Sequence, residues 1–137
     1  MLRPLLINKK KIFIIMEFYI RQGSSDPILK MKLINDGKNE QSYFNDVLEN
    51  SDVTFEMSDV KTNTPVILGG ICEITTRINK FNQTSDDYYI IYTFTEEQTS
   101  ERGRFEGKFT VQFYDSSQQP TTKLITPIKE KLFINVI

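Results

Sequence analysis

The sequence predicts an all-β domain, and three observations carry that expectation. First, β-preferring types dominate, with 17 Ile, 13 Thr, 6 Val, 10 Phe and 6 Tyr in 137 residues. Branched and aromatic side chains of this kind pack well on a pleated surface. Second, alanine, the strongest helix former, does not occur. Third, apolar residues recur in several segments with a period of two rather than the helical period of about 3.6, and turn-forming clusters separate those segments. The length suits one domain. A hydrophobic fraction of 39% is enough for a core and argues against disorder.

Taken in order, the chain opens with a distinct segment, residues 1–15. Lys9, Lys10 and Lys11 precede the apolar run Ile12-Phe13-Ile14-Ile15-Met16, which breaks at Glu17. The run is short for a signal sequence, lacks a small-residue cleavage site, and falls far below a membrane span. The segment is read either as an extra strand or arm, or as a start-site artefact with Met16 as the initiator; a targeting role is the weakest reading. The domain proper is 16–137. Strands are expected at Glu17–Arg21 and Ile28–Ile34, separated by the turn cluster Gly23-Ser24-Ser25-Asp26-Pro27 and followed by Asn35-Asp36-Gly37. A short helical turn is expected at Phe44–Asn50. Asp52–Met57 alternates, with Val53, Phe55 and Met57 inward.

After the turn Lys61–Pro65, the pair Gly69-Gly70 reads as a second turn and Ile71 as the start of a strand. Cys72, Ile74, Thr76 and Ile78 form that strand's inward set. Tyr88–Thr95 is continuously apolar or aromatic, which suits a central strand or one with a face left for a partner. Glu96–Glu101 reads as a second helical turn, ended by Gly103. Phe105–Phe113 gives the clearest alternation, with Phe105, Gly107, Phe109, Val111 and Phe113 inward. A turn from Asp115 to Pro120 and a last strand at Leu132–Ile137 complete the list. About seven to eight short strands at this spacing, with one or two short helical turns, point to an antiparallel β-sandwich, most simply an immunoglobulin-like one.

The chemistry excludes more than it names. Lys and Arg number 17 against 18 Asp and Glu, a net charge of −1. Neither nucleic acid nor an anionic membrane is therefore an expected partner. With no histidine and one cysteine, a histidine-based triad, a disulfide framework and a cysteine-rich zinc site all drop out. No catalytic, cofactor-binding or metal-binding residue is proposed, and no cofactor. Asp86-Asp87 and Glu96-Glu97 are adjacent carboxylates that read as solvated loop charges. Gly69-Gly70 lacks the Lys-Ser/Thr of a phosphate loop. Cys72 reads as a buried structural thiol. Arg102 and Arg104 flank Gly103 and are either solvated charges or donors to an acidic partner surface. The tyrosines 88, 89 and 92 either pack in the sheet or anchor an interface.

The order of segments adds a resemblance. Tyr19-Ile20-Arg21-Gln22-Gly23 opens the domain, Val53-Thr54-Phe55-Glu56-Met57 follows, then Ile71–Ile74 and Tyr89–Phe94. The strongest stretch is Gly103-Arg104-Phe105-Glu106-Gly107-Lys108-Phe109-Thr110-Val111-Gln112-Phe113, with Pro127 and Leu132–Val136 after it. In this order the chain resembles the N-terminal immunoglobulin-like domain of the baseplate upper protein family of tailed bacteriophages, over Met16 to Ile137. Residues 61–70 and 79–87 are longer than that pattern, and family members continue into a longer C-terminal region.

The resemblance implies a non-enzymatic virion structural protein, expected in the tail or baseplate. Its partners would be other virion structural proteins in a symmetric assembly. Candidate interface residues are Tyr88, Tyr89 and Arg104. The alternatives are a head-decoration protein and a small carbohydrate-binding adhesion module that contacts host-surface glycans.

Overall fold

The computed structural model of the chain describes residues 15–33, 50–78, 84–128 and 130–137. Alternation of apolar and polar residues produces nine strands among them: β1 (Ile15–Ile20), β2 (Leu29–Leu33), β3 (Asp52–Asp59), β4 (Pro65–Ile71), β5 (Glu73–Ile78), β6 (Thr84–Tyr92), β7 (Gly103–Tyr114), β8 (Pro120–Thr126) and β9 (Lys131–Val136). The fold is all-β, as the composition predicts. The larger sheet has the order β1-β9-β7-β3-β4, with β8 pairing the far half of β7. The smaller sheet has the order β2-β6-β5. The expected arm at 1–15 lies outside the described residues except for Ile15, the first residue of β1.

Three features differ from the sequence expectation. The sheets are not wholly antiparallel: β1 runs parallel to β9, Ile15 facing Lys131 and Ile20 facing Val136. A parallel pair joins segments distant in sequence, so local pattern cannot announce it. No helical turn forms at Glu96–Glu101. Gln98 N–H donates to Thr95 O and Ser100 N–H to Glu97 O, which are isolated turns, and Gly103 begins β7 instead of capping a helix. The other helical turn, Phe44–Asn50, falls outside the described residues apart from Asn50, which lies in a turn. Finally, Gly69-Gly70 is not a connecting turn but part of β4. Gly69 takes φ 68° at a register shift against β3, where its missing side chain makes the left-handed backbone accessible.

Packing between the sheets is aromatic. Phe55 of β3 is fully buried and touches Phe109 on its own sheet, at 4.9 Å between ring centroids. It also meets Tyr92 of β6 at 4.8 Å and Phe94 at 5.9 Å, edge-on. Tyr92 lies so close over β4 that a methyl on Gly70 would stand 2.6 Å from its ring. Such ring pairs contribute about 0.5–1.5 kcal/mol each beyond area burial, so the two layers are joined at one aromatic centre. The alternation read in β3 and β7 is observed, with Val53, Phe55, Met57, Phe105, Phe109, Val111 and Phe113 all buried. Tyr92 donates its hydroxyl to Gln98 Oε1 at 2.8 Å. Thr99, fully buried, donates to Ser24 O at 2.8 Å, which ties the loop after β6 to the loop after β1.

Candidate protein interface

Arg104 leaves the outer face of β7 and is engaged within the molecule. Its guanidinium donates to Asn135 Oδ1 on β9 at 3.2 Å and to Glu17 Oε2 on β1 at 3.1 Å. The ion pair to Glu17 Oε1 is 3.0 Å, and the guanidinium carbon lies 3.9 Å from the Phe133 ring centroid. Asn135 Nδ2 donates to Glu17 Oε1 at 2.9 Å, and this bond, followed by that from Arg104, holds the Glu17 carboxyl below its ordinary pKa of 4.5. Arg104 thus clamps three neighbouring strands through one acidic residue. Arg102 donates to Gln22 Oε1 at 3.0 Å and fastens the loop below.

The tyrosines lie on the other sheet. β6 is paired on both sides, Tyr89 facing Lys32 on β2 and Thr75 on β5, so this strand offers no edge for strand addition. The Tyr89 ring is half-buried, with Lys30 Nζ 4.8 Å from its centroid. Tyr88 is opposite Leu33 and Thr76 along the backbone, and its side chain lies outside the described residues. Tyr88, Tyr89 and Arg104 are therefore not brought together.

The chemistry of the remaining candidates is equally local. Cys72 sits between β4 and β5, half-buried, and its thiol points to Gly70 O at 3.7 Å. Burial pushes that thiol up to about 12. Glu96 and Glu97 are exposed on the turn after Phe94. The side chains of Asp86 and Asp87 lie outside the described residues. Asp59 accepts the Lys61 and Thr62 backbone N–H groups, which depress its pKa and mark it as a turn cap. A recess of about 170 Å³ lies over β3 and β7, lined by Glu56, Ser58, Asp59, Asn63, Glu106 and Lys108 among others. That is smaller than the few hundred Å³ that small-molecule pockets occupy. Among the described residues no three His, Cys, Asp or Glu side chains gather as a metal site.

The surface that stands out lies on β4, a segment whose sequence predicts turns. β4 pairs only with β3 among the described residues, so no other described strand covers its outer edge. On it Leu68 is 71% exposed and Ile71 is 80% exposed, with Val66 beside them also exposed. No charged residue occurs from Thr62 to Cys72. Edge strands ordinarily carry charges that deter association, and here there are none. The signal in the sequence was the uncharged stretch itself, hidden because Gly69 and Gly70 interrupt its alternation. No protein-family model, no curated protein and no solved structure matches the chain.

Proposed function

We propose that this chain is a non-enzymatic structural module that works by docking on neighbouring proteins through the open edge of its larger sheet. The carrying observation is β4, an uncharged edge strand with Leu68 and Ile71 in solvent. Large apolar side chains so exposed add little to folding, whereas burial against a partner removes each from water, worth about 1.5–3 kcal/mol for full burial. The immunoglobulin-like reading belongs to this proposal. In variable-type lettering β1 to β4 serve as A′, B, C and C′, β5 to β7 as D, E and F, and β8 with β9 as a divided G. The sheets then read A′GFCC′ and BED, which supports that topology. Phe55 occupies the central strand C position where immunoglobulin domains keep a tryptophan, and the disulfide between B and F is absent because Cys72 is the only cysteine.

The assembly proposed is a bacteriophage particle, with tail or baseplate as the location, on the segment order described above. Quantitative peptide mass spectrometry on purified particles of the encoding phage tests it. A copy number at a small multiple of three or six supports tail or baseplate. A number comparable to the major capsid protein moves the module to the head surface, and absence from the particle refutes the virion reading.

A further inference from the structure

We propose that β1 is a latched strap: when the clamp on Glu17 opens, Ile15–Tyr19 lifts away from β9 about a hinge at Ile20 and leaves β9 as the edge of the larger sheet. This goes beyond the docking reading of β4 and does not rest on it. The first support is topological. β1 is the outer strand of its sheet and pairs with β9 alone among the described residues. Its inward burial is graded: Ile20 is fully buried, Met16 and Phe18 are only partly so, and Ile15, Glu17 and Tyr19 face solvent. The second support is where the chain is fastened. Ile137 N–H donates to Ile20 O at 2.9 Å, Gln22 N–H to Ile137 O at 2.8 Å, and Gly23 N–H to Thr99 O at 2.8 Å. Gln22 Nε2 adds a bond to Ser100 O at 2.8 Å. These bonds pin the chain at Ile20–Gly23 to Ile137 and to the loop after β6, so a movement of β1 pivots there.

Ahead of the hinge the side chains of β1 make two holds. Inward, Phe18 stacks on Phe94 at 5.8 Å between ring centroids. Outward, Glu17, the one charged residue of β1, accepts bonds from Asn135 and Arg104. The outward hold depends on charge, because a protonated Glu17 loses its ion pair with Arg104 and part of its accepting capacity. The other ionisable groups on that face are Lys131 of β9, opposite Ile15, and Glu106 of β7, opposite Phe133. Glu106 favours the protonated form of Glu17, while Lys131 and Arg104 oppose it. The bonds from Asn135 and Arg104 prevail and keep the carboxyl below 4.5, so the latch is shut at neutral pH and opens as pH falls through the folded-state value. The aromatic stack does not titrate, and it draws the strap back when the charge returns.

Backbone hydrogen exchange on the full chain, followed by NMR and expressed as protection relative to the intrinsic rate at each pH, is the test. Between pH 7 and pH 3 the protection of β1 amides should fall about three- to tenfold more than that of β3 and β7, the range a charge-assisted surface contact accounts for. The Gln22 and Gly23 amides, beyond the hinge, should follow β3 and β7 instead. Glu17→Gln should show the low β1 protection at both pH values. Arg104→Gln, which leaves β1 itself unaltered, should lower the same amides at pH 7. Protection lost by one factor in every strand at acid pH overturns the proposal, because the domain then opens as a single unit. So does a wild type whose β1 keeps its protection at pH 3, or a Glu17→Gln variant that keeps it at pH 7. Loss at Gln22 and Gly23 alongside β1 removes the hinge and overturns it too.

Discussion

Replacing Gly107 by alanine separates the pattern reading of β7 from its packing. By pattern, Gly107 occupies an inward position between Phe105 and Phe109, where a larger apolar residue ought to gain burial. In the structure a Cβ there would stand 2.8 Å from Phe55 Cε1 and 2.9 Å from Ile134 Cδ1. The Ile134 methyl is the end of a flexible side chain and can turn. The Phe55 ring cannot move freely, because Phe109, Tyr92 and Phe94 all contact it. Overpacking a full core costs about 1–3 kcal/mol. Against it, alanine narrows the unfolded ensemble and returns about 0.4–1 kcal/mol. The expected net is a loss of about 0.5–2 kcal/mol, or a thermal midpoint lower by about 2–8 °C for a domain this size. Differential scanning calorimetry on the wild type and Gly107→Ala reads it. The companion Ile134→Val removes Cδ1, so the double variant should lose less than the two single losses added together. An unchanged or raised midpoint for Gly107→Ala would refute the close approach of β7 to Phe55.

The Glu17 clamp has a pH signature. A carboxyl held below its ordinary pKa of 4.5 adds stability that is present above that value and fades as pH falls through the folded-state pKa. Glu17→Gln should therefore lower the thermal midpoint at pH 7, by a difference that shrinks as pH falls below 4.5; a difference that is absent at pH 7, or that does not shrink in acid, would remove the clamp. Cys72, pushed up to about 12 by burial, is a neutral thiol at ordinary pH. Iodoacetamide at pH 8 should label native protein far more slowly than protein in guanidinium chloride, and equal rates would show the thiol accessible.

What the sequence revealed and what it concealed divide along one physical line. Inside or outside is a local property in a strand, because successive side chains point to opposite faces. The buried sets of β3 and β7 were legible for that reason. Neighbourhood in a sheet is not local. The unbroken apolar run Tyr88–Thr95 suits a central strand or one with a face left for a partner, and only the pairing with β2 and β5, which no local pattern announces, decides for the centre of the sheet. Arg104 read as a free cation because its partners, Glu17 and Asn135, lie far from it in sequence. β8 was missed because nearly all its residues are exposed, leaving no alternation to see. The glycines of β4 erased the one pattern that would have identified an edge.

The outward side chains of β4 are separate from the core. Folding needs Phe55, Tyr92 and Phe94 to meet, and it needs Gly70 to be small so that Tyr92 can cross β4. It does not need Leu68 or Ile71 to be apolar, since both remain largely in water. Propensity offers one competing reason for Ile71, because a branched side chain favours strand backbone wherever it points. Threonine keeps the branching and removes most of the apolar surface, so Ile71→Thr decides between the two. If backbone preference accounts for Ile71, the variant keeps both the fold and the association of wild type. If contact accounts for it, the thermal midpoint stays while association weakens. The same logic cannot be applied to Leu68, which is unbranched at Cβ and has no strand preference to appeal to. Its exposure on an edge without charges is therefore explained by contact with another surface.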